Sequence, residues 1–256
     1  MERLLYDEMF RIEESHWWFA ARRKIIMHII ENILHNIKSE HQEITICDLG
    51  CGCGATLRAL SKKYNVLGMD SSDDAIRFCR ERGLIIQKGS LPYNIPYEEN
   101  QFDVVLLLDV LEHIEEDEKA LQKAVSLLKP TGIIIVTVPA YQWLWSPHDV
   151  FHHHKRRYDK KRLLKMFMSF PDMTPILLSY FNTLLFPLAL IERTFSRFLK
   201  KKQETYLLPQ PNRVINIIFE KIFALERLLI PRMNLPVGLS IIAIFQKGTT
   251  SHKTLC

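Results

Sequence analysis

A glycine-rich turn between a short apolar run and a helical pattern limits what this chain can fold into. The turn, Asp48-Leu49-Gly50-Cys51-Gly52-Cys53-Gly54, follows the apolar residues 44–47 and precedes a helical pattern over 55–63. Three glycines at alternate positions let the backbone turn sharply and come close to a ligand, because a Cβ atom there would clash or forbid the required φ values. The sequence therefore predicts a strand, a ligand-binding loop and a helix.

An acid follows this loop at the spacing expected of a nucleoside-binding site. The second predicted strand ends at Asp70, about 20 residues after the turn, where a carboxylate can accept two ribose hydroxyls. Gly50, Gly52 and Ala55 also satisfy the dinucleotide pattern, so NAD is an alternative cofactor. Asp48, which stands two residues before the first glycine, and the additional Gly54 favour S-adenosylmethionine over NAD.

With these features the sequence resembles the class I S-adenosylmethionine-dependent methyltransferases, and it is similar to their quinone-biosynthesis (type 11 / type 12) members. Three further blocks carry the resemblance in the same order, at residues 88–92, 102–114 and 128–136. The resemblance covers residues 44–139 well and the acceptor half poorly. It implies S-adenosylmethionine as cofactor and these cofactor-binding residues: Arg22, Asp48, Gly50, Cys51, Gly52, Gly54, Asp70, Ser71, Ser90, Leu91, Leu108 and Asp109.

Two parts of the resemblance stay open. In related quinone-pathway enzymes an arginine on the leading helix holds the methionine carboxylate of the cofactor, and either Arg22 or Arg23 could do so. Ser90 stands where many relatives have an aspartate for the adenine amino group. The adjacent Trp17 and Trp18 rarely both point into one core, so at least one is expected to cover a cleft or meet a partner.

Alternating apolar runs and helical patterns predict an α/β chain with a parallel sheet. Together with the resemblance they imply a Rossmann-like class I methyltransferase fold, a seven-stranded mixed sheet with helices on both faces. Strands are predicted at 44–48, 65–70, 84–87, 102–108, 132–138, 176–181 and 239–246, and helices at 21–37, 55–63, 73–82, 117–128 and 160–168. The expected organisation is one domain over 1–256, with an N-terminal helical cap (1–40), a cofactor-binding core (41–182), a helical insertion between the last two strands (183–238) and a final strand (239–247).

The segment 174–191 has no charged residue and raises the question of a membrane span. Using 176–181 as a strand leaves about ten apolar residues, too few to cross a bilayer as a helix. From Ile191 onward eleven Lys and Arg stand against four Glu, a balance of +7. Lys200, Lys201 and Lys202 resemble a surface that meets anionic lipid headgroups, with a solvated helical face as the alternative.

The cysteine content and the N-terminal residues indicate the cellular compartment. The chain has 256 residues and five cysteines, two of them inside the glycine loop, and no disulfide framework or zinc spacing is evident. Residues 1–14 alternate charge and apolarity without the apolar core of a signal peptide. These features predict a cytoplasmic protein, with a peripheral position on the inner face of a membrane as an extension.

Methyl transfer from a sulfonium needs an in-line nucleophile and, for a hydroxyl acceptor, loss of a proton. A carboxylate–histidine pair suits that loss, because imidazole titrates near neutral pH. Asp109, Glu112 and His113 resemble the Glu-x-x-Glu-His run of the quinone-pathway O-methyltransferases, in which both acids and the histidine hold a divalent cation. Packing of the loop is the favoured interpretation here, and no metal is assigned.

A second set of such groups follows the fifth strand, where this fold usually builds its substrate wall. His148 and Asp149 are expected to be catalytic or to orient the substrate, and His154, Arg156, Arg157 and Tyr158 to line the pocket. The alternative is that the two arginines cap structure or pair with acids. The catalytic candidates are His148, Asp149, His154 and His113.

The predicted function is O-methylation of a small lipophilic or lipid-linked acceptor by S-adenosylmethionine. An RNA methyltransferase is one alternative, suggested by the pI of 8.9. The chain lacks the Asn/Asp-Pro-Pro-aromatic run typical of base amino methylation and has no additional nucleic-acid module, so no nucleic-acid partner is expected. A catalytically silent binding module is the other alternative, against which the intact Asp48, glycine loop and Asp70 argue. The sequence does not determine the acceptor or the oligomeric state.

Overall fold

The computed structural model describes residues 3–37, 43–198 and 211–249. Within these ranges the strands are β1 (Thr45–Leu49), β2 (Asn65–Asp70), β3 (Ile86–Lys88), β4 (Phe102–Leu108), β5 (Leu128–Pro139), β6 (Met173–Phe181) and β7 (Ser240–Lys247). The helices are α1 (Arg3–Ile12), α2 (Trp17–Ile37), α3 (Ala55–Leu60), α4 (Asp73–Glu81), α5 (Asp117–Ser126), α6 (Pro147–Phe151), α7 (Lys160–Phe167), α8 (Phe186–Phe198), α9 (Arg213–Ala224) and α10 (Glu226–Leu229).

All seven strands form one sheet in the order β3-β2-β1-β4-β5-β7-β6. The first five pair in parallel, and β7 runs antiparallel between β5 and β6. This confirms the predicted Rossmann-like class I methyltransferase fold. Because the carboxyl ends of parallel strands meet at one edge of the sheet, the loops after β1, β2 and β4 lie together there, beside the point where the strand order reverses.

Both faces of the sheet are covered, which explains the uninterrupted apolar run in β5. Ile133 and Ile135 pack with α2 and α9, while Ile134 and Val136 belong to the cluster on the other face, which includes residues of α5 and α7. Both layers exclude water, and the four side chains are fully buried. The sheet is therefore a rigid support for the loops at its carboxyl edge.

The insertion between the last two strands is helical, as predicted, and contains α8, α9 and α10. Buried Glu226 holds its start by accepting backbone N–H groups of Asn182, Thr183 and Leu184 at 2.6, 2.7 and 2.8 Å. The uncharged segment is divided between β6 and α8. Among the residues described, no helix has both the length and the apolarity needed to span a membrane.

The structure differs from the sequence prediction at the N-terminus. The sequence pattern does not predict helix α1, and α2 begins at Trp17 rather than at Ala21. Tertiary contacts stabilise α1: Phe10 stacks on Phe78 of α4 at 4.3 Å between ring centroids, and Glu13 pairs with the buried Arg82. Such contacts join distant parts of the chain, so local periodicity does not reveal them.

Candidate cofactor and acceptor site

The glycine loop has the backbone geometry that its sequence predicts. Gly50, Gly52 and Gly54 have φ values of +80°, +56° and +83°, in the left-handed region that favours glycine. A Cβ atom on Gly50 would lie 2.7 Å from Cγ2 of Val110, so the loop passes directly against the segment after β4. The glycines thus bring the backbone of β1 and β4 close together at the carboxyl edge.

Asp70 fastens this loop to the end of β2. Its Oδ2 accepts the N–H of Gly52 and its Oδ1 accepts the N–H of Ser72, both at 2.9 Å. Burial raises the pKa of Asp70, and the backbone hydrogen bonds oppose that rise. A carboxylate has about four lone-pair positions, so these backbone bonds leave capacity for a ligand hydroxyl such as that of a ribose.

Asp48, at the end of β1, is a buried carboxylate that faces the same cavity. Its Oδ1 atom has no hydrogen-bond partner among the described residues. Burial raises the pKa of Asp48 to about 7, although the positive charge of Arg22 opposes the rise. An unpartnered buried acid of this kind fits a cationic ligand, and S-adenosylmethionine carries an ammonium and a sulfonium group.

The structure distinguishes the two candidate arginines of α2. Arg22 lies on the cavity wall, 2.8 Å from Oδ2 of Asp109 and 2.8 Å from the hydroxyl of Thr137. Arg23 instead donates to the backbone carbonyls of Glu13 and Glu14, at 3.0 and 3.1 Å. The Nε of Arg22 is buried without a partner among the described residues. Arg22 is thus placed for an anionic ligand group, and Arg23 holds the α1–α2 connection.

The predicted cofactor residues meet around one cavity of about 1940 Å³, with one exception. Gly54 does not line it, because a Cβ atom there would lie 2.7 Å from Sγ of Cys79 and 2.8 Å from Leu84. Its role is close packing against α4 and the left-handed start of α3. The cavity is larger than the roughly 300–1,000 Å³ of a single small-ligand pocket, so it has room for a cofactor and an acceptor.

Aromatic and apolar side chains from distant elements cover this cavity. Trp17 and Trp18 both line it, and Trp17 packs edge-on against Phe219 of the insertion at 5.5 Å. Tyr6 and Met9 of α1 line it as well and were missed in the sequence, although their spacing is that of an amphipathic helix. The expectation that a tryptophan covers a cleft therefore holds for both.

Asp149 is the centre of a buried polar network next to the cavity. It accepts Nε and Nη2 of Arg157 at 2.8 and 2.9 Å, the N–H of Ser146 at 2.8 Å, and bonds Nδ1 of His154 at 2.9 Å. Burial alone would raise its pKa, but the bonds from His154 and Arg157 hold that pKa well below its usual range. Asp149 does not reach the cavity. It positions His154, which corrects the expectation that it is itself catalytic.

Four imidazoles lie close together on one side of the cavity. We call this group, His113, His148, His152 and His154, the histidine wall. The ring centroids of His113 and His154 are 4.7 Å apart, and those of His148 and His152 are 4.1 Å apart. Burial, together with neighbouring histidines, lowers the pKa of His113 and His148 to about 3 and that of His152 to about 4. These three rings are neutral at neutral pH, so each has an unprotonated ring nitrogen that can accept a hydrogen bond or bind a metal.

Arg156 and Tyr158 do not line the cavity, contrary to prediction. Arg156 pairs with Asp117 at 3.0 Å, and the hydroxyl of the buried Tyr158 donates to the same carboxylate at 2.8 Å. Arg157 lines the cavity but is held by Asp149. The alternative interpretation, that both arginines pair with acids, is the one that the contacts support.

Of the three residues that match the cation-binding run of the quinone-pathway enzymes, only Glu112 and His113 are available to bind a cation in this structure. Asp109, the first acid, is taken by Arg22 and by the Thr137 hydroxyl, which donates to it at 3.0 Å. Glu112 is only 1 % exposed, and neither of its oxygens has a hydrogen-bond partner among the described residues. Ligand atoms of Glu112, His113 and His154 lie within 4.8 Å of one another.

Comparisons with known proteins agree with this geometry. A family model described as a methyltransferase domain matches residues 47–136, from β1 into β5. A ubiquinone biosynthesis O-methyltransferase of Rickettsia bellii is 29 % identical over 146 residues, covering 51 % of this chain and 61 % of that protein. The chain thus contains a methyltransferase domain over residues 47–136 and has the fold of the class I S-adenosylmethionine-dependent methyltransferases. It is related to the quinone-biosynthesis methyltransferases, and S-adenosylmethionine is its cofactor.

Other matches cover different shares of the chain. A tRNA (carboxymethyluridine(34)-5-O)-methyltransferase of Arabidopsis thaliana is 31 % identical over 96 residues, which is 36 % of this chain and 23 % of that protein. A chain of the Haloferax volcanii complex with the Trm112 methyltransferase activator aligns over 97 % of this chain and 99 % of its own length (TM-score 0.57, 17 % identity). A SAM dependent methyltransferase from Archaeoglobus fulgidus aligns over 88 % and 94 % (TM-score 0.53, 19 % identity). Both structures show the fold alone.

The matched part of the curated relatives is limited. The chain spans 61 % of the length of the Rickettsia bellii protein, and the family model ends within β5. His148, His152, His154 and the insertion lie beyond β5, whereas His113 lies within the matched segment. The cofactor half of the cavity is therefore shared with the relatives, while the acceptor half must be interpreted from its own contacts.

Proposed function

We propose that this protein transfers a methyl group from S-adenosylmethionine to a hydroxyl oxygen of a small lipophilic acceptor, such as a hydroxylated aromatic ring with an apolar tail. The observation that carries the proposal is the single cavity, in which the glycine loop and Asp70 face the same space as the histidine wall. Two reactants held side by side in one cavity react as an intramolecular pair, which supplies much of the rate. The two curated relatives described above are both named as O-methyltransferases.

The cofactor residues divide the ligand among them by charge and hydrogen-bonding capacity. Asp70 accepts the ribose hydroxyls with its remaining lone pairs, and unpartnered Asp48 faces the ammonium group. Arg22 offers its unpaired Nε to the methionine carboxylate, and Ser90 and Leu91 border the adenine. When bound, the sulfonium supplies the methyl group. The residues Gly50, Cys51, Gly52, Ser71, Leu108 and Asp109 shape the remaining wall.

The proton of the acceptor hydroxyl passes to an imidazole of the histidine wall. His148 and His154 are the candidates, because both line the cavity and His154 is oriented by Asp149. His113 also lines the cavity, and its ring contacts that of His154. Once the proton is removed, in-line attack needs only the positioning that the tryptophans and the glycine loop provide.

The covering helices indicate where a lipophilic acceptor comes from. Ile191 of α8 and Val214 and Ile218 of α9 are 58 %, 66 % and 48 % exposed, while Leu188 and Phe219 of the same helices line the cavity. One side of the α8–α9 pair thus faces the cavity, and another side faces outward. We propose that the outward side contacts an anionic membrane surface from the cytoplasm, in line with the +7 balance after Ile191. Lys200, Lys201 and Lys202 lie outside the described residues.

Liposome co-sedimentation tests the membrane contact. Binding should require anionic lipid and decline as salt rises, because Coulomb attraction is screened. The double substitution Val214→Ser, Ile218→Ser should reduce binding. Ile85→Ser is the matched control, since Ile85 is 68 % exposed beside β3, at the opposite edge of the sheet. If the protein stays in the supernatant with anionic liposomes at low salt, the outward side has another role.

RNA is the second candidate acceptor, favoured by the tRNA methyltransferase match in the cofactor core. The apolar cover of the cavity favours a lipophilic acceptor instead. Radiolabelled S-adenosylmethionine, supplied with total tRNA or with a panel of hydroxylated prenyl-aromatic compounds, separates the two. Label in tRNA alone would overturn the proposed acceptor, and label in neither, with the cofactor bound, would favour a catalytically silent module.

A further inference from the structure

Glu112 is an acidic group of this cavity whose two carboxyl oxygens both lack a hydrogen-bond partner among the described residues. It sits in the 3-10 turn Leu111–His113 just after β4, lines the cavity, and is only 1 % exposed, yet neither carboxyl oxygen is hydrogen-bonded to any described residue. A buried carboxyl group without a partner loses its hydration and gains nothing in exchange, which destabilises the fold. Such a group is retained where a ligand completes it.

The neighbouring arginines do not complete it. Arg22 is bonded to Asp109 and Thr137, and Arg157 is bonded to both oxygens of Asp149. Each guanidinium thus has its own carboxylate partner. The carboxyl group of Glu112 is left for a cation from outside the chain.

Two imidazoles face the same point. Ligand atoms of Glu112, His113 and His154 all lie within 4.8 Å of one another. Ligands bound at about 2.1 Å to one tetrahedral zinc ion lie about 3.4 Å apart, so side-chain rotations that shorten the widest separations by about 1 Å bring the three onto one ion. His113 follows Glu112 in the turn, whereas His154 comes from the segment after α6.

The orientation of His154 is that of a metal ligand. Its Nδ1 is bonded to Asp149 at 2.9 Å, which leaves Nε2 as the atom that can bind an ion. Metal-bound histidines generally make such a bond to a carboxylate, because it sets the tautomer and the ring orientation. Asp149 is in turn held by Arg157 and Ser146, so the ring is fixed before any ion arrives.

We infer that Glu112, His113 and His154 bind one divalent transition-metal ion, and that His154 takes the ligand position which the quinone-pathway motif gives to its first acid. Asp109 is unsuited to that position, because Arg22 and Thr137 already use both its oxygens. Replacing a carboxylate by an imidazole changes the preferred ion, since two imidazoles and one carboxylate suit zinc or iron(II) rather than magnesium.

The consequence for the chemistry rests on the proposed function, but metal binding itself does not. An ion held by Glu112, His113 and His154 would supply positive charge beside the acceptor part of the cavity, which would favour loss of a hydroxyl proton. His154 is then a ligand, and His148 is left as the imidazole that accepts the proton. Metal binding and proton acceptance are thereby assigned to different histidines of the same cavity wall.

Calorimetric titration of chelator-treated full-length protein with Zn²⁺, without S-adenosylmethionine, tests the inference. We expect one Zn²⁺ per chain, with Mg²⁺ binding more weakly by at least about tenfold. Glu112→Gln and His154→Ala should each lower Zn²⁺ affinity by more than about 100-fold, because loss of a ligand exceeds the roughly 10–100-fold effect of losing a ligand's own partner. X-ray absorption of the zinc complex should show imidazole and oxygen ligands, without thiolate.

Three controls make the result decisive. Asp109→Asn should keep Zn²⁺ binding within about threefold, and so should His153→Asn, which removes an exposed imidazole from the same segment at a φ of +56° that asparagine tolerates. Circular dichroism and urea unfolding of each variant show that its fold is intact. No Zn²⁺ binding by the wild type, unchanged binding by Glu112→Gln, or loss in Asp109→Asn equal to that in Glu112→Gln would each overturn the inference. Absence of S-adenosylmethionine binding would overturn the proposed function instead.

Discussion

Substitution of Asp70 by asparagine tests how the loop and the cofactor depend on one carboxylate. The two side chains have the same shape, but an amide NH₂ group replaces one oxygen and cannot accept a hydrogen bond. In the native protein both oxygens are used, Oδ2 by the N–H of Gly52 and Oδ1 by the N–H of Ser72. The Asp70→Asn variant therefore loses one of these bonds. Its NH₂ group also cannot accept a hydrogen bond from a ribose hydroxyl.

The size of the effect follows from the bonds lost. A charge-assisted hydrogen bond contributes about 1.5–3 kcal/mol. Asp70 is 7 % exposed, so solvent screening reduces this little. Loss of the Gly52 bond should lower the free energy of unfolding of the ligand-free protein by about that amount. Loss of one ribose bond should weaken S-adenosylmethionine binding by about 10–100-fold, since each 1.4 kcal/mol is tenfold.

Isothermal titration with S-adenosylmethionine and with its demethylated product measures the affinity, and urea unfolding without ligand measures the stability. Asp73→Asn is the matched control, because Asp73 begins the adjacent helix and pairs with Lys88 in an exposed position. The control should bind as the wild type does. Affinity of Asp70→Asn within about twofold of the wild type would refute the assignment of this carboxylate to the cofactor.

Three further expectations follow from the same contacts. Gly50→Ala should lower stability and cofactor affinity, since its Cβ would lie 2.7 Å from Cγ2 of Val110 at a φ of +80°, and Val110→Ala should restore part of the loss in urea unfolding. His148→Ala should cut turnover by about 100-fold with cofactor affinity nearly unchanged, and full activity in that variant would exclude His148 as the proton acceptor. The pKa of Asp48 is raised to about 7, so its carboxylate is protonated below that pH and a cationic ligand then loses its partner. Cofactor affinity should accordingly rise from pH 5.5 to pH 7, by up to about tenfold per unit, and Asp48→Asn should flatten the profile.

Whereas cofactor affinity should rise with pH, the contribution of Asp48 to the free energy of unfolding should fall as pH rises. A carboxyl whose pKa is higher in the folded than in the unfolded state binds more protons when folded, so its contribution to stability is present at low pH and is lost as pH rises toward 7. Bound S-adenosylmethionine should reduce this dependence by favouring the charged form. Urea unfolding at several pH values, with and without cofactor, measures both.

The sequence by itself determined the cofactor half of this protein. A positive φ at Gly50 and Gly52, an acid at the end of β1 and another at the end of β2 are local requirements, each written in one short segment. The apolar runs of the central strands are equally local, because both faces of the sheet are covered. The predicted strand at 102–108 therefore coincides with β4, and that at 65–70 with β2.

Only the tertiary structure decided which of two adjacent arginines has which role. Arg22 faces the cavity while Arg23 holds carbonyls, and Arg157 holds Asp149 while Arg156 pairs with Asp117. These roles depend on which carboxylates and carbonyls from distant elements come within hydrogen-bond distance, and on whether water is excluded there. Neither quantity is encoded in local periodicity or spacing. For the same reason the sequence showed a Glu-His pair after β4, but only the fold showed that Glu112 is buried without a partner among the described residues. Only the fold, likewise, brings a ligand atom of the distant His154 within 4.8 Å of one on Glu112.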